Sequence, residues 1–303
     1  MDNFTATADP AVTDDVTDGY HAGSTWFNTT DNKLFVCQDS TDGAAVWRQV
    51  MDASKNLSDL ADADASRINM SVGYGSRRNR FETGSHFVGV AGANGVAVPG
   101  MEAYMSFSGT AAGIGVITNV PGTVGVWSLD LGTTTTGRAA IAAVASVTNV
   151  GFRLGEGRAR FLARAAIHVL SNGTETYTTR VGFIDNGASE SADGAFFRYT
   201  HGSNGGMWEA VTRTNNAETS SNTGVTPVAD LFQLFEVDVN AAGTSVDFKI
   251  DGVIVATITT NIPTAVGRET GYGLMSLKSA GTTQTSGLYF DLVEVEYNFT
   301  SPL

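Results

Sequence analysis

The chain has 303 residues, 42% of them apolar, and a formal net charge of −13, so it can bury one or two cores while repelling phosphate-rich partners. Nucleic acid is thereby excluded as the main ligand. No apolar run reaches eighteen residues and no charged-then-apolar segment follows Met1, which sets the expectation of synthesis in a cytoplasm without membrane insertion. Cys37 is the only cysteine, so no intrachain disulfide forms. Thirty-five glycines against six prolines suggest short strands joined by tight turns.

Charge divides the chain. Residues 1–70 hold twelve Asp, no Glu and four basic residues, a net of −8, leaving −5 for the other 233. Residues 24–28 (STWFN), 33–37 (KLFVC) and 45–50 (AVWRQV) alternate as three short strands, with turn residues at 29–32 and 39–43. With only Trp26, Phe35 and Trp47 as large anchors, residues 1–50 form a small β module with a marginal core. The 51–70 segment carries the one helical pattern. Ser58 and Asp59 suit its start, Arg67 its end, and Leu57, Leu60, Ala61, Ala65 and Ile68 share one face. So short a helix needs a partner, and the simplest is the same helix from another copy. Residues 71–97 contain the Arg77-Arg78-Asn79-Arg80 run and a dense set of glycines, which reads as a linker or irregular hairpin. The Arg run is read as solvated or pairing between subunits.

From 98 to 303 the chain reads as β segments. In 232–259, Phe235, Val237 and Val239 alternate with Glu236 and Asp238. Val246, Phe248 and Ile250 then alternate with Asp247 and Lys249, and Asp251-Gly252 is a preferred type I′ hairpin pair. Further strands are expected at 139–147, 158–170, 176–184, 194–200, 207–213, 271–278 and 287–298. The fold class is therefore mainly β: a small N-terminal β module, a short helix, and a C-terminal antiparallel β-sandwich of jelly-roll type.

Three resemblances bear on function. Asp9-Pro10, Asp14-Asp15, Gly19-Tyr20, Gly23-Ser24, Trp26, Asn28, Cys37, Asp39 and the GAAVW run from Gly43 to Trp47 resemble an N-terminal attachment module of bacteriophage tail-fibre and related virion proteins. The stretch from Asn56 to Met70 is similar to the NLSDL segments of those fibres, with Ala65-Ser66-Arg67 where Thr-Ala-Arg is usual. Residues 175–300 resemble the concanavalin-like, laminin-G-like sandwiches that end many phage fibres. The matching residues are the DGAFFRY run at 193–199, Trp208, 240–246, 261–263, Gly267-Arg268 and 278–283. The resemblance implies a virion component.

Catalytic and metal chemistry find little support in the residues. An E-x-D-x-(x)-E hydrolase pattern begins at Glu236 and Asp238 but meets Asn240 and Ala241; Asp291, Glu294 and Glu296 also fail it, because Asp291 falls on the opposite parity. Both strands read as solvated outer faces. His21, His86, His168 and His201 are isolated. Asp185-Asn186-Gly187 and Asp193-Gly194 could join a Ca²⁺ site, yet they are ordinary turn pairs, so no cofactor or metal is expected. For glycan binding the candidates are Tyr199, Asn204, Trp208, Arg213 and Asn215, on two adjacent strands and their turn. The competing reading puts Phe197, Tyr199 and Trp208 in the core and Arg213 in a surface pair, and the burial habit of Trp favours it.

The expectation is a non-enzymatic phage tail fibre or appendage, a homotrimer located on the virion. Residues 1–50 would contact other virion proteins, and the sandwich would bind a host-surface glycan or protein. The alternatives are a purely structural head fibre or tail adaptor, and, last, a polysaccharide depolymerase. Mass measurement in solution tests the self-association of 56–70: a multiple of the 31.7 kDa chain is expected, and a stable monomer overturns it.

Overall fold

The computed structural model describes residues 1–50, 80–86, 103–117, 122–123, 125–143, 151–283 and 286–300. The expected helix at 56–70, with Leu57, Leu60, Ala61, Ala65 and Ile68, lies outside them. The chain divides into two compact units, 1–76 and 77–303.

In the first unit, β1 (Asn3–Ala6) lies parallel to β2 (Thr25–Asn28), and β3 (Lys33–Asp39) and β4 (Val46–Gln49) continue the sheet antiparallel. Three strands match the alternation in the sequence; β1 was not expected. Tyr20, Trp26 and Trp47 pack ring to ring with centroids 5.3 to 5.8 Å apart, and Phe35 joins Tyr20 and Trp26 in the core. Both indoles donate to main-chain carbonyls, Trp26 to Ala8 and Trp47 to Asp14, at 2.9 Å each. The acidic side chains of this unit tie loops. Asp15 accepts from the N–H groups of Thr17 and Gly43, at 2.8 and 2.6 Å, and Asp9 accepts from Asn28 at 2.7 Å. These hydrogen bonds hold the carboxyls of Asp15 and Asp9 below their usual pKa.

The second unit is a two-sheet antiparallel sandwich. Its strands are β5 (Arg80–His86), β6 (Tyr104–Ser108), β7 (Ala112–Ile117), β8 (Val126–Leu131), β9 (Arg138–Ala143), β10 (Gly157–Ala166), β11 (Thr176–Ile184) and β12 (Gly194–Thr200). After them come β13 (Glu209–Thr214), β14 (Ala217–Asn222), β15 (Gln233–Val239), β16 (Val246–Ile250), β17 (Val253–Ile258), β18 (Tyr272–Ala280) and β19 (Ser286–Phe299). One sheet runs β17-β16-β15-β10-β19-β8-β7, with β5 also paired to β19; the other runs β14-β13-β12-β11-β18-β9-β6. Within 71–97, read as a linker or irregular hairpin, Arg80–His86 is a strand that pairs antiparallel with residues 292–298 of β19. The surrounding glycines and the Arg run hid a strand of period two.

Alternation assigns the faces. Phe235, Val237, Val239, Val246, Phe248 and Ile250 enter the core from one sheet; Tyr177, Val181, Phe183, Phe197, Tyr199 and Leu274 enter from the other. Asp251 and Gly252 both take positive φ, 52° and 80°, as a type I′ turn requires. A charged tie joins loops of the two sheets. Lys278, fully buried on β18, donates to the carbonyls of Gly132, just after β8, and of Thr283, and pairs with Glu175 at 2.9 Å. The Thr283 N–H and then the Lys278 ammonium pull the Glu175 carboxyl from 4.5 down to about 2. Because its folded pKa lies below its unfolded value, Glu175 stabilises the fold above about pH 4.5, and this contribution is lost as pH falls toward 2. Thermal unfolding measured against pH is expected to show a shallower loss over that window in Glu175→Gln than in the parent chain.

Candidate functional site

The outward face of the β14-to-β6 sheet carries a cluster that the core does not need. Strand register aligns Met275, Arg180, Arg198 and Glu209 in one row across β18, β11, β12 and β13, and sets Arg213 opposite Glu218 on β14. Arg198 donates to Glu209 at 2.9 Å and to Glu218 at 2.7 and 2.9 Å. Arg213 reaches Glu190 at 2.6 Å, and Arg180 pairs with the same Glu190. Burial works against the Arg198 charge, but its bonds to Glu218 and Glu209 outweigh that and hold its pKa above the usual guanidinium value. The bond from Arg198 holds Glu218 low in turn. Arg180 is different. It is 2% exposed, burial lowers its pKa, and its Nε and Nη1 find no hydrogen-bond partner among the described residues. An unmet buried guanidinium donor is costly, which marks the place for explanation.

Beside the arginines the face is apolar. Ala140, Ala142, Ile184, Phe196, Val211 and Met275 form a second buried cluster, and the Arg180 guanidinium lies 6.0 Å from the Phe196 ring centroid. Gly182 and Gly273 pair directly between Phe196 and Ala142 in the next row, so no side chain stands at the middle of the floor. A Cβ at Gly273 would come within 2.9 Å of the Ala142 backbone. The β11–β12 loop passes over this floor, where a Cβ at Gly187 would lie 3.2 Å from that of Ala142.

Of the five glycan candidates, one belongs to this cluster. Arg213 does. Tyr199 and Trp208, glycan candidates for which the sequence favoured a core place, are 4% and 1% exposed and lie in the inter-sheet core, Trp208 with its ring centroid 4.8 Å from that of Phe235. Period two forces this: Ala195, Phe197 and Tyr199 share the inward side of β12, leaving Phe196 and Arg198 outward. Asn204 and Asn215 take positive φ in turns, 52° and 50°. The Asn204 side chain donates to the Trp208 carbonyl at 3.2 Å, and the Asn215 N–H donates to Asp193 at 2.7 Å. Sequence reasoning missed Arg180, Arg198, Glu190, Glu209 and Glu218. Their signal was present as charges on the outward parity of consecutive strands, but it needed the hairpin registers to be read.

The other sheet's outer face holds the acids weighed as hydrolase candidates. Glu236 is paired with Arg160 and Lys249, Asp238 with Arg158 and Lys249. Burial favours the neutral acids, yet these cationic partners outweigh it and keep both carboxyls below their usual values, the reverse of what a proton donor needs. Asp291 does not point away as expected. The register shift between Arg164 and Ala165 bulges β19 there, and Asp291 pairs with the outward Arg164. Asp185 accepts from the N–H groups of Ala192 and Asp193, and Asp193 binds the Asn215 N–H and Arg268, so these turn oxygens are engaged by the chain itself. Among the described residues, no three His, Cys, Asp or Glu side chains are grouped to hold a metal. His168 pairs with Asp230 at 2.7 Å and stacks on Tyr289, while His201 contacts Ser171 at 3.1 Å.

Residues 122–291, which contain the whole cluster, match the family described as SO2946-like, C-terminal domain. The chain belongs to that family. The SO2946-like match covers more than half of the sequence. Among solved structures the chain is similar to a protein of unknown function, SO2946, from Shewanella oneidensis MR-1, at 12% identity and a TM-score of 0.51, over 79% of this chain and 96% of that one. Peanut lectin aligns at 8% identity and a TM-score of 0.48, over 73% of this chain and 99% of that one. An endo-1,3-beta-glucanase from Streptomyces sioyaensis aligns at 14% identity and 0.46, over 72% and 96%. No curated protein sequence matches the chain. The sandwich thus shares its fold with the solved SO2946 structure at only 12% identity.

Arg198 is the hub of the cluster, and Arg198→Met leaves Glu209 and Glu218 without their main cation. Since the cluster is part-wetted, the expected loss of stability is roughly 2 kcal/mol, less than for a fully buried pair. Denaturant unfolding of the two proteins measures it.

Proposed function

We propose that this chain is a bacteriophage virion appendage, of the tail-fibre kind, whose sandwich binds a host-surface glycan on the outer face of the β14-to-β6 sheet. The observation that carries the binding half is Arg180, buried on an outward sheet face with its Nε and Nη1 unmet among the described residues. An apolar side chain in place of a buried ion-pair member is often neutral or stabilising, so stability alone does not call for an arginine here. Sugar sites combine an apolar floor with a few fixed polar groups. Phe196, Val211, Met275 and the Gly182–Gly273 gap supply the floor here, and Arg180 and Arg213 the polar groups.

The virion half is supported by the N-terminal resemblance. The residues that carry it are those that build the first unit: Asp9 and Asn28 bond each other, Asp15 ties Gly43, and Trp26 and Trp47 pack on Tyr20. A chain that retains this set retains the means to form the same module, and residues 1–50 would seat it on other virion proteins. Self-association through 56–70 would multiply a weak sugar site into a firm attachment.

A panel of host-surface glycans presented to the full-length chain tests the reading. Retention on at least one glycan is expected, with about tenfold weaker binding by Arg213→Ala, which removes a charge-assisted donor. Uniform silence across the panel overturns it.

A further inference from the structure

The loop from Asp185 to Asp193, between β11 and β12, is fixed at its base and held at its tip by contacts of a different kind. At the base, Asp185 accepts two main-chain N–H groups at 3.1 Å, and Asp193 is bound by the Asn215 N–H and Arg268. The tip is a self-contained knot, in which Asn186 accepts from the N–H groups of Ala188 and Ser189 at 2.7 and 3.2 Å. The described contacts that tie this tip to the sheet are few: Arg138 donates to the Gly187 carbonyl at 3.3 Å, and Glu190 spans Arg180 and Arg213. Glu190 has a 45% exposed side chain, whereas Arg180 and Arg213 are 3% and 11% exposed. A buried and a largely covered guanidinium group thus hold a carboxylate that already stands half in water.

We infer that Glu190 is an internal stand-in for the carboxylate of an acidic sugar, and that such a glycan binds by displacing it from Arg180 and Arg213. This deepens the proposed function and rests on its placement of the glycan site on this face. Guanidinium groups match planar carboxylates in geometry as well as charge. Release of Glu190 costs little desolvation because its side chain is already half-hydrated, while the incoming carboxylate gains donors that are otherwise shut from water. Arg180 Nε and Nη1, without a partner among the described residues, can donate to the ring oxygens or hydroxyls of the same sugar. Lifting the tip also uncovers Ala140 and Ala142 beside Phe196, which widens the apolar floor for a sugar ring. The loop is therefore a latch, and the fraction of molecules with it open scales the apparent affinity.

The test is calorimetric titration of the full-length chain and of Glu190→Gln. The probes are tetragalacturonate, a hyaluronan tetrasaccharide and sialyllactose, each beside its carboxyl methyl ester, with lactose as the neutral control. At least one acid is expected to bind more tightly than its ester. Glu190→Gln is expected to strengthen that acid by about fivefold or more while leaving ester and lactose within about twofold. Arg180→Lys, which keeps the charge but loses the planar donor set, is expected to weaken it by about tenfold. Equal binding of acid and ester, or an acid affinity that Glu190→Gln leaves unchanged or lowers, overturns the latch. Neutral glycans retained by the host panel while no acid binds overturn the latch and leave the glycan reading standing. Silence of every saccharide, on the host panel and in calorimetry, overturns both.

Discussion

Each strand of a sandwich has only two sides, and the inward side is taken before any function is considered. Burial of apolar area between the sheets is the main force available to this unit, so the large rings go inward: Phe161, Phe183, Phe197, Phe235, Phe248, Trp208 and Tyr297 are all but fully buried. What remains for recognition is the outward parity, and there the strands offer mainly small, charged and hydroxyl side chains. Any site on a sheet face of this molecule must therefore be built from arginines, glutamates and gaps, with few aromatics. The outward rings among the described residues include Phe196, lying beneath the arginine row, Tyr104, opposite Ala142 on the same sheet, and Tyr289, stacked on His168.

The two outer faces solve their charge problem differently. On β10, β15 and β16, Arg158, Arg160 and Lys249 meet Asp238 and Glu236 in cross-strand pairs, and every member has a partner. Such matched ladders add modestly to sheet pairing and disfavour slips in register. On β11 to β14 the ladder is incomplete. Arg180 and Arg198 are set directly opposite one another, like charge against like, and three glutamates are recruited to balance three arginines. One of those glutamates comes from a loop rather than a strand. Like charges also meet on the other face, where Asp238 stands opposite Asp247, but there Asp238 has Arg158 and Lys249 as partners, whereas Arg180 is buried with Glu190 alone as its ion-pair partner among the described residues.

Much of the fold was legible because period two and turn chemistry agree over 232–259, where the hairpin at Asp251-Gly252 and both alternating strands stand as read. Residues 176–184 and 194–200 are strands over the ranges expected. The failures have separate physical causes. β14, the polar run AETSSN, is an edge strand with little to bury, so it shows no hydrophobic period. β5 hid among glycines, and the bulge at Asp291 reversed a parity that was counted as though the strand were regular. The candidate site was the least legible part. Its residues lie on five separate segments, and only the paired registers of β11 through β14 put Arg180, Arg198, Arg213, Glu209 and Glu218 on one surface. Trp208 was offered both ways, since an aromatic near polar turn residues looks the same in sequence whether it stacks a sugar or fills a core, and the favoured core place is where it lies.

The first unit sharpens how far resemblance reaches. Every matched residue with a visible contact in residues 1–50 serves the architecture. Gly19 and Gly23 hold positive φ at turns, Asp15 bonds the Gly43 N–H across the module, and the indoles of Trp26 and Trp47 fix loop carbonyls. Shared residues of this kind speak to the folding of the first unit alone. Phe4, Val12 and Val16 stand 59%, 58% and 44% exposed in a unit whose own core is only a few rings deep. A unit so small would gain stability from anything that covers those side chains.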